Sequence, residues 1–219
     1  MLKKLQAGTG MLIAAFVGVH LLNTWLAAFG ASAYDRVQEV LRSAYQFAPI
    51  EALLLGSLLV HIVVGVVRIV VEPKRTLTLR ARLHRYAGFF LMAVIAGHVL
   101  AVRGPSWFFD VYPGFAGLAF SLEFLPGFFY PYYFLLGMAG VFHGLNGLGI
   151  AAARLGLQPR LGRLSDPAMT VAVSAAGVML LVALLGLGGV WFDVGDVQDS
   201  AFAHLVRDVL GLQSVAVTP

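Results

Sequence analysis

Ala139-Gly140-Val141-Phe142-His143-Gly144-Leu145-Asn146-Gly147 sets one histidine in the middle of a run, Gly127 to Ala153, that contains no charged residue. An ionisable side chain inside hydrocarbon costs at least a few kcal/mol unless a bundle partner offsets it. Glycines at i−3, i+1 and i+4 strip side chains from the helix surface around that imidazole. They leave room for something flat and large. His20, His61 and His98 occupy comparable apolar runs, and the rest of the chain is organised around these four.

Composition fixes the class. Of 219 residues, 59% are hydrophobic and 12% charged, with a mean hydropathy of +0.85, where water-soluble chains carry about 25% charged residues. The expected fold is all-α: one polytopic membrane domain spanning residues 1–219. The chain has no cysteine, which excludes a cysteine-ligated iron–sulfur cluster, a haem thioether link and a disulfide. It also lacks a glycine-rich nucleotide loop following a strand. The net charge of +4 does not point to nucleic acid, because the basic residues fall where they set membrane topology.

Five transmembrane helices are predicted, over Thr9 to Gly30, Pro49 to Val71, Tyr86 to Val102, Gly127 to Ala153 and Pro167 to Phe192. A span needs about 20 apolar residues, so the third is short, whereas the fourth and fifth are long enough to tilt. The first four form a four-helix bundle. Lys3, Lys4, Arg68, Lys74, Arg75, Arg80, Arg82, Arg85, Arg154, Arg160 and Arg163, eleven of the fifteen basic residues, lie on one side. Arg36, Arg42, Arg103 and Arg207 lie on the other, with nine of the eleven acidic residues. The positive-inside rule then puts the amino terminus in the cytoplasm and the carboxyl terminus outside the inner (cytoplasmic) membrane of the cell. Lys3 and Lys4 ahead of an apolar run ending at Ala31-Ser32-Ala33 resemble a signal peptide. That run exceeds the 7–15 residues usual for a cleaved core and carries His20 and Asn23, so it reads as the first span.

The outer connections read as amphipathic, membrane-surface pieces. Val37, Val40, Leu41 and Ala44 share a helical face between Tyr34 and Phe47. Phe202, Leu205, Val206, Val209 and Leu210 repeat the pattern, with Asp199 or Ser200 as N-cap and Gly211 after the end. Residues 103–126, with Trp107, Phe108, Phe109 and Tyr112, read as an interfacial cover.

A lone intramembrane histidine commonly serves as an interhelical hydrogen-bonding group. Four, one on each of four consecutive helices, ask for more. A metal cage or a proton relay would need carboxylates nearby, and none lies in the apolar middle of any span. Neutral imidazoles among small residues suit axial ligation of haem iron, two per haem. At about 1.5 Å rise per residue, His61 and His143 each lie about 18 Å from the outer helix edges at Pro49 and Pro131. His20 and His98 lie roughly 8–15 Å from theirs, at Gly30 and Arg103. Depth therefore pairs His20 with His98 for an outer haem and His61 with His143 for an inner one, across bundle diagonals.

Neighbours on the same faces suit that use. Ser57, Gly65 and Arg68 line the His61 face, and Arg68 either holds a haem propionate or snorkels as a topology charge. Asn146 follows His143 by three residues, and Asn23 and Thr24 follow His20 by three and four, placed to orient an imidazole or to bond backbone. A weak repeat relates the halves: Gly10 and Gly88 precede His20 and His98 by ten, and Gly65 and Gly147 follow His61 and His143 by four.

Gln6-Ala7-Gly8-Thr9-Gly10 ahead of His20, His84-Arg85-Tyr86-Ala87-Gly88 ahead of His98, and His143-Gly144-x-x-Gly147 together resemble the dihaem cytochrome b membrane anchors of succinate dehydrogenase and fumarate reductase. The five-helix, four-histidine layout covers nearly the whole chain. The resemblance implies two haem b groups ligated by His20 with His98 and His61 with His143. It also implies a flavoprotein and an iron–sulfur subunit docked on the cytoplasmic side, and a quinone, often menaquinone, as substrate. The chain would be the electron-transfer and quinone-reactive subunit of that oxidoreductase, with no dicarboxylate site of its own. Glu51, at the outer end of the second helix, either exchanges protons with quinone or is a plain interfacial carboxylate. Gln6, Thr9, His84 and Arg85 line an inner quinone site or bond propionates, with a flanking, lipid-facing role equally open for Arg85. Some family members carry a glutamate just before the fourth-helix ligand, where Val141 and Phe142 stand here, so a proton path through that carboxylate is not expected. Two other readings stay open on sequence: the cytochrome b subunit of a hydrogenase or formate dehydrogenase, and a haem-free transport or structural protein whose histidines pack or carry protons.

Overall fold

The structure is a computed structural model and describes residues 1–72, 76–157 and 164–212. Among the described residues there are helices and no strands: α1 (Leu2–Leu26), α2 (Ala31–Tyr45), α3 (Ala48–Val71), α4 (Leu79–Phe109), α5 (Gly114–Phe124), α6 (Pro126–Leu155), α7 (Asp166–Leu187) and α8 (Ala201–Val209). Short 3₁₀ turns cover Ala27–Phe29 and Val197–Asp199. Five helices (α1 with its 3₁₀ extension, α3, α4, α6 and α7) are long and apolar enough to cross a membrane. The protein is an all-α, multi-pass membrane protein. Lys74, Arg75, Arg160 and Arg163, counted above as topology charges, lie outside the described residues.

Local chemistry sets the helix ends. Thr78, Ser165 and Ser200 cap α4, α7 and α8, each accepting the backbone N–H three residues on, and prolines occupy the first turns of α3, α6 and α7, where a missing N–H costs nothing. Of the two N-cap candidates near the carboxyl terminus, Ser200 caps the helix. Gly156 closes α6 with φ of 73°, a left-handed conformation that glycine adopts without strain.

The third span is not short. Hydropathy ends at Tyr86 and Val102, but α4 runs for 31 residues. Thr78 caps its beginning, Arg80 is hydrogen-bonded to α6 and α7, and at the far end Arg103 is neutralised by Glu51 of α3. Polar residues therefore stay helical beyond the apolar core of the span.

Packing orders the four histidine-bearing helices as α3–α1–α6–α4. Helix α1 packs on both α3 and α6, α6 packs on α4, and α7 lies against α6 and α1. Neither the diagonals, α1 with α4 and α3 with α6, nor the α3–α4 side has extended backbone packing. The bundle is closed on three sides and open between α3 and α4.

The best-buried apolar core lies outside the bundle. Phe115, Phe120 and Leu122 of α5 are 1–2% exposed and meet Tyr34 of α2, Leu187 of α7, Val197 and Ala203. Gly186 lets α7 approach the α1 extension: a Cβ there would stand 2.9 Å from the Ala27 carbonyl oxygen. The outer pieces thus form a folded cap rather than separate surface anchors. Much of the aromatic stretch expected to lie at the interface is the buried helix α5. Val37, Val40, Val209 and Leu210 keep the outward exposure of membrane-surface residues, and so do Trp107, Phe108, Phe109 and Tyr112.

Candidate cofactor site

The bundle brings the four span histidines together in two facing pairs. The rings of His20 (α1) and His98 (α4) have centres 6.2 Å apart with planes at 71°. Those of His61 (α3) and His143 (α6) are also 6.2 Å apart, with planes at 84°. Both pairs span diagonals of the bundle, where backbones do not pack and only side chains reach across.

Second partners hold three of the four rings. His61 Nδ1 lies 3.2 Å from the Gln6 carbonyl oxygen and 3.4 Å from Thr9 Oγ1. His143 Nδ1 lies 3.1 Å from the His84 carbonyl oxygen. A carbonyl only accepts, so both Nδ1 atoms donate, and the neutral ring keeps its lone pair on Nε2. His98 Nδ1 is 3.4 Å from the Tyr132 hydroxyl, and Phe16 stacks on His20 at 5.8 Å.

Glycines from facing helices complete the pockets. A Cβ on Gly10 of α1 would fall 2.8 Å from His61 Cε1, and one on Gly88 of α4 would fall 2.9 Å from His143 Cε1. The glycines on the His143 helix do something else. Gly140 faces Val17, Gly147 faces His84, and a Cβ on Gly144 would meet nothing within 4 Å. Gly10 and Gly88, singled out in sequence for their spacing from His20 and His98, therefore serve the opposite pair.

Other expected residues separate by location. Gln6, Thr9 and His84 all gather at the His61–His143 pair, and the His84 ring stacks on His143 at 4.1 Å and 8°. Arg85 is exposed. Arg68 gives Nε and Nη2 to Glu72 at 2.8 and 3.0 Å and Nη1 to Gln6 Oε1. Glu51 lies at the opposite end, in a two-point pair with Arg103 at 2.5 and 3.0 Å. The polar followers do not orient the ring of their own helix. Thr24 bonds the His20 carbonyl, Asn23 donates to Gln38 of α2, and Asn146 accepts from Arg80. Sequence reasoning missed Tyr132 as a partner of His98 and Arg80 as more than a topology charge. Tyr132 lies on α6, which sequence assigns to the other pair, so spacing carried no signal for it.

Haem makes two demands on the protein, a pair of imidazoles at the right separation and free Nε2 atoms. With a metal–imidazole bond of about 2.0–2.1 Å and about 1.1 Å from nitrogen to ring centre, two axial imidazoles have centres about 6.3 Å apart. Both pairs stand at 6.2 Å. Among the described residues no three His, Cys, Asp or Glu side chains converge as a metal cage. Each pair offers two ligands, the number a planar macrocycle leaves open. The residues fit the group. Scans against family models, characterised proteins and solved structures each returned no match, so this geometry carries the functional reading.

Proposed function

We propose that the chain is a dihaem cytochrome b, the membrane anchor of a quinone-reactive oxidoreductase of the succinate dehydrogenase and fumarate reductase type. The observation that carries this is the two diagonal imidazole pairs with the same 6.2 Å ring separation. Bound haem would supply one-electron redox chemistry at each pair. The protein's part is to hold the rings apart, fix their tautomers and keep lipid and water from the iron ligands. Gln6 and His84 do the second through their carbonyls, and Thr9 adds a hydroxyl beside His61.

On this reading the His61–His143 pair lies toward the cytoplasm, where a flavoprotein and an iron–sulfur subunit dock. Lys3, Lys4, Arg68 and Arg154, with Glu72 among them, line one groove at that end, a net basic surface suited to an acidic partner face. The His20–His98 pair lies toward the outside. Quinone, with menaquinone as the expected species, exchanges protons at the Glu51 end, beside Arg103.

Redox difference spectra of the purified chain test the proposal. Wild type should show two b-type components. His61→Ala or His143→Ala should remove one and the same component, and His20→Ala or His98→Ala the other. A folded wild type with no b-type band would end the haem reading.

A further inference from the structure

Arg80 donates three hydrogen bonds at the basic end, yet part of it has nothing to bond. Its side chain is only 11% exposed. Nε donates to Asn146 Oδ1 at 2.7 Å, and Nη1 donates to the Leu164 carbonyl at 2.7 Å and to Asp166 at 2.8 Å. Nη2 is buried with no partner among the described residues. Nδ2 of Asn146, a residue 1% exposed, is in the same condition. Buried donors are nearly always paired, and an unmet guanidinium N–H is among the costliest to leave.

The place of these donors names the acceptor. Asn146 follows His143 by one turn of α6, and Arg80 precedes His84 by one turn of α4. The His84 ring stacks on that of His143, so both donors sit about one helical turn from the His61–His143 pair, on its basic side. The two side chains are bonded to each other through Arg80 Nε and Asn146 Oδ1, so the unmet groups, one cationic and one neutral N–H, belong to adjacent side chains and match the two oxygens of a carboxylate. Arg68, the cation that sequence favoured, is already engaged by Glu72 and Gln6.

We propose that Arg80 and Asn146 form a carboxylate-binding site that anchors a propionate of the haem held by His61 and His143. The site rests on the dihaem reading. It gives Arg80 a binding role in addition to tying α4 to α7 through Asp166.

Equilibrium redox titration of the purified, haem-loaded chain tests the site. A cation beside a haem favours the reduced form, so Arg80→Met should make one b component harder to reduce. The expected change is at least tenfold in its reduction equilibrium, about 59 mV for one electron, with the other component unmoved. Arg80→Lys should restore part of the shift, and Arg82→Met, at an exposed arginine two positions on, should leave both components in place. Competition between haem and its dimethyl ester supplies a readout that does not depend on potential. The wild type should prefer the free acid at the His61–His143 pair, and Asn146→Leu should weaken that preference severalfold. A wild type with two haems but no preference for the free acid overturns the carboxylate site alone. So does an Arg80→Met variant in which both components keep their potentials. A wild type that binds no haem overturns the dihaem reading and this site together.

Discussion

The carbonyl oxygen of Gln6, near the start of α1, accepts the Nδ1 proton of His61 on α3 at 3.2 Å. His84 does the same for His143 at 3.1 Å. Two imidazoles that face each other across the bundle are thus held in one tautomer by main-chain atoms of the two other helices. Metal-binding histidines are commonly oriented by carboxylates or carbonyls, and the carbonyl solution brings no second charge into the span. This explains how the middle of each span can lack carboxylates and still hold its imidazoles in a defined state.

The cross-helix glycines should be intolerant of a single methyl group. Gly10→Ala places Cβ 2.8 Å from the His61 ring and Gly88→Ala places it 2.9 Å from the His143 ring, closer than real Cβ contacts. On the dihaem reading, each should lower the haem content of the same spectral component, with the other retained. Gly8→Ala, where a Cβ meets nothing within 4 Å, should be neutral or stabilising by up to about 1 kcal/mol through helix propensity. Haem-to-protein ratio and thermal unfolding in one detergent measure both effects. Equal losses from Gly8→Ala and Gly10→Ala would refute the steric assignment.

Glu51 and Arg103 close one end of the open α3–α4 side. Their side chains are 19% and 17% exposed, and Arg103 also bonds Ser106 and lies over the Trp107 ring at 5.2 Å. Removing one partner of a largely buried pair leaves an uncompensated charge, so Glu51→Ala should cost about 3 kcal/mol. The double variant with Arg103→Ala should lose less than the two single losses added together. Unfolding midpoints in detergent decide this, and strict additivity would show that the pair does not couple the helices.

Acid should act at the opposite end. The hydrogen bonds from Arg68 hold the Glu72 carboxyl below the usual glutamate range, with the charges of Arg68, Lys3 and Arg154 adding to the effect. A depressed folded-state value means that the contribution to stability is present above the unfolded pKa, about 4.3, and is lost as pH falls through the folded one. Glu72→Gln should therefore be less stable than wild type at neutral pH, with the gap closing only below about pH 4. The gap should be small and salt-sensitive, because the carboxylate is largely open to solvent. Unfolding midpoints against pH would contradict this if the gap widened in acid.

The spans were legible because hydrocarbon admits only long apolar helices with internally satisfied backbones. One histidine per helix at graded depths made the diagonal pairs legible too, since rise per residue is constant along a helix. The extent of α4 was not, because hydropathy reports where apolar residues stop and not where backbone hydrogen bonding stops. The burial of α5 was not legible either. Phe115, Phe120 and Leu122 have the same composition whether they face lipid or one another.

By itself the sequence determined the class of the molecule, its five membrane helices and the four imidazoles in them, all of which follow from local hydropathy and helical pitch. Only the tertiary structure decided that Gly10 and Gly88 make room for His61 and His143, that main-chain carbonyls of Gln6 and His84 set their tautomers, and that Arg80 rather than Arg68 keeps a donor to spare. Each of these depends on which faces of which helices meet. These contacts join residues 51 to 66 positions apart, and no periodicity within one helix encodes its rotation against another.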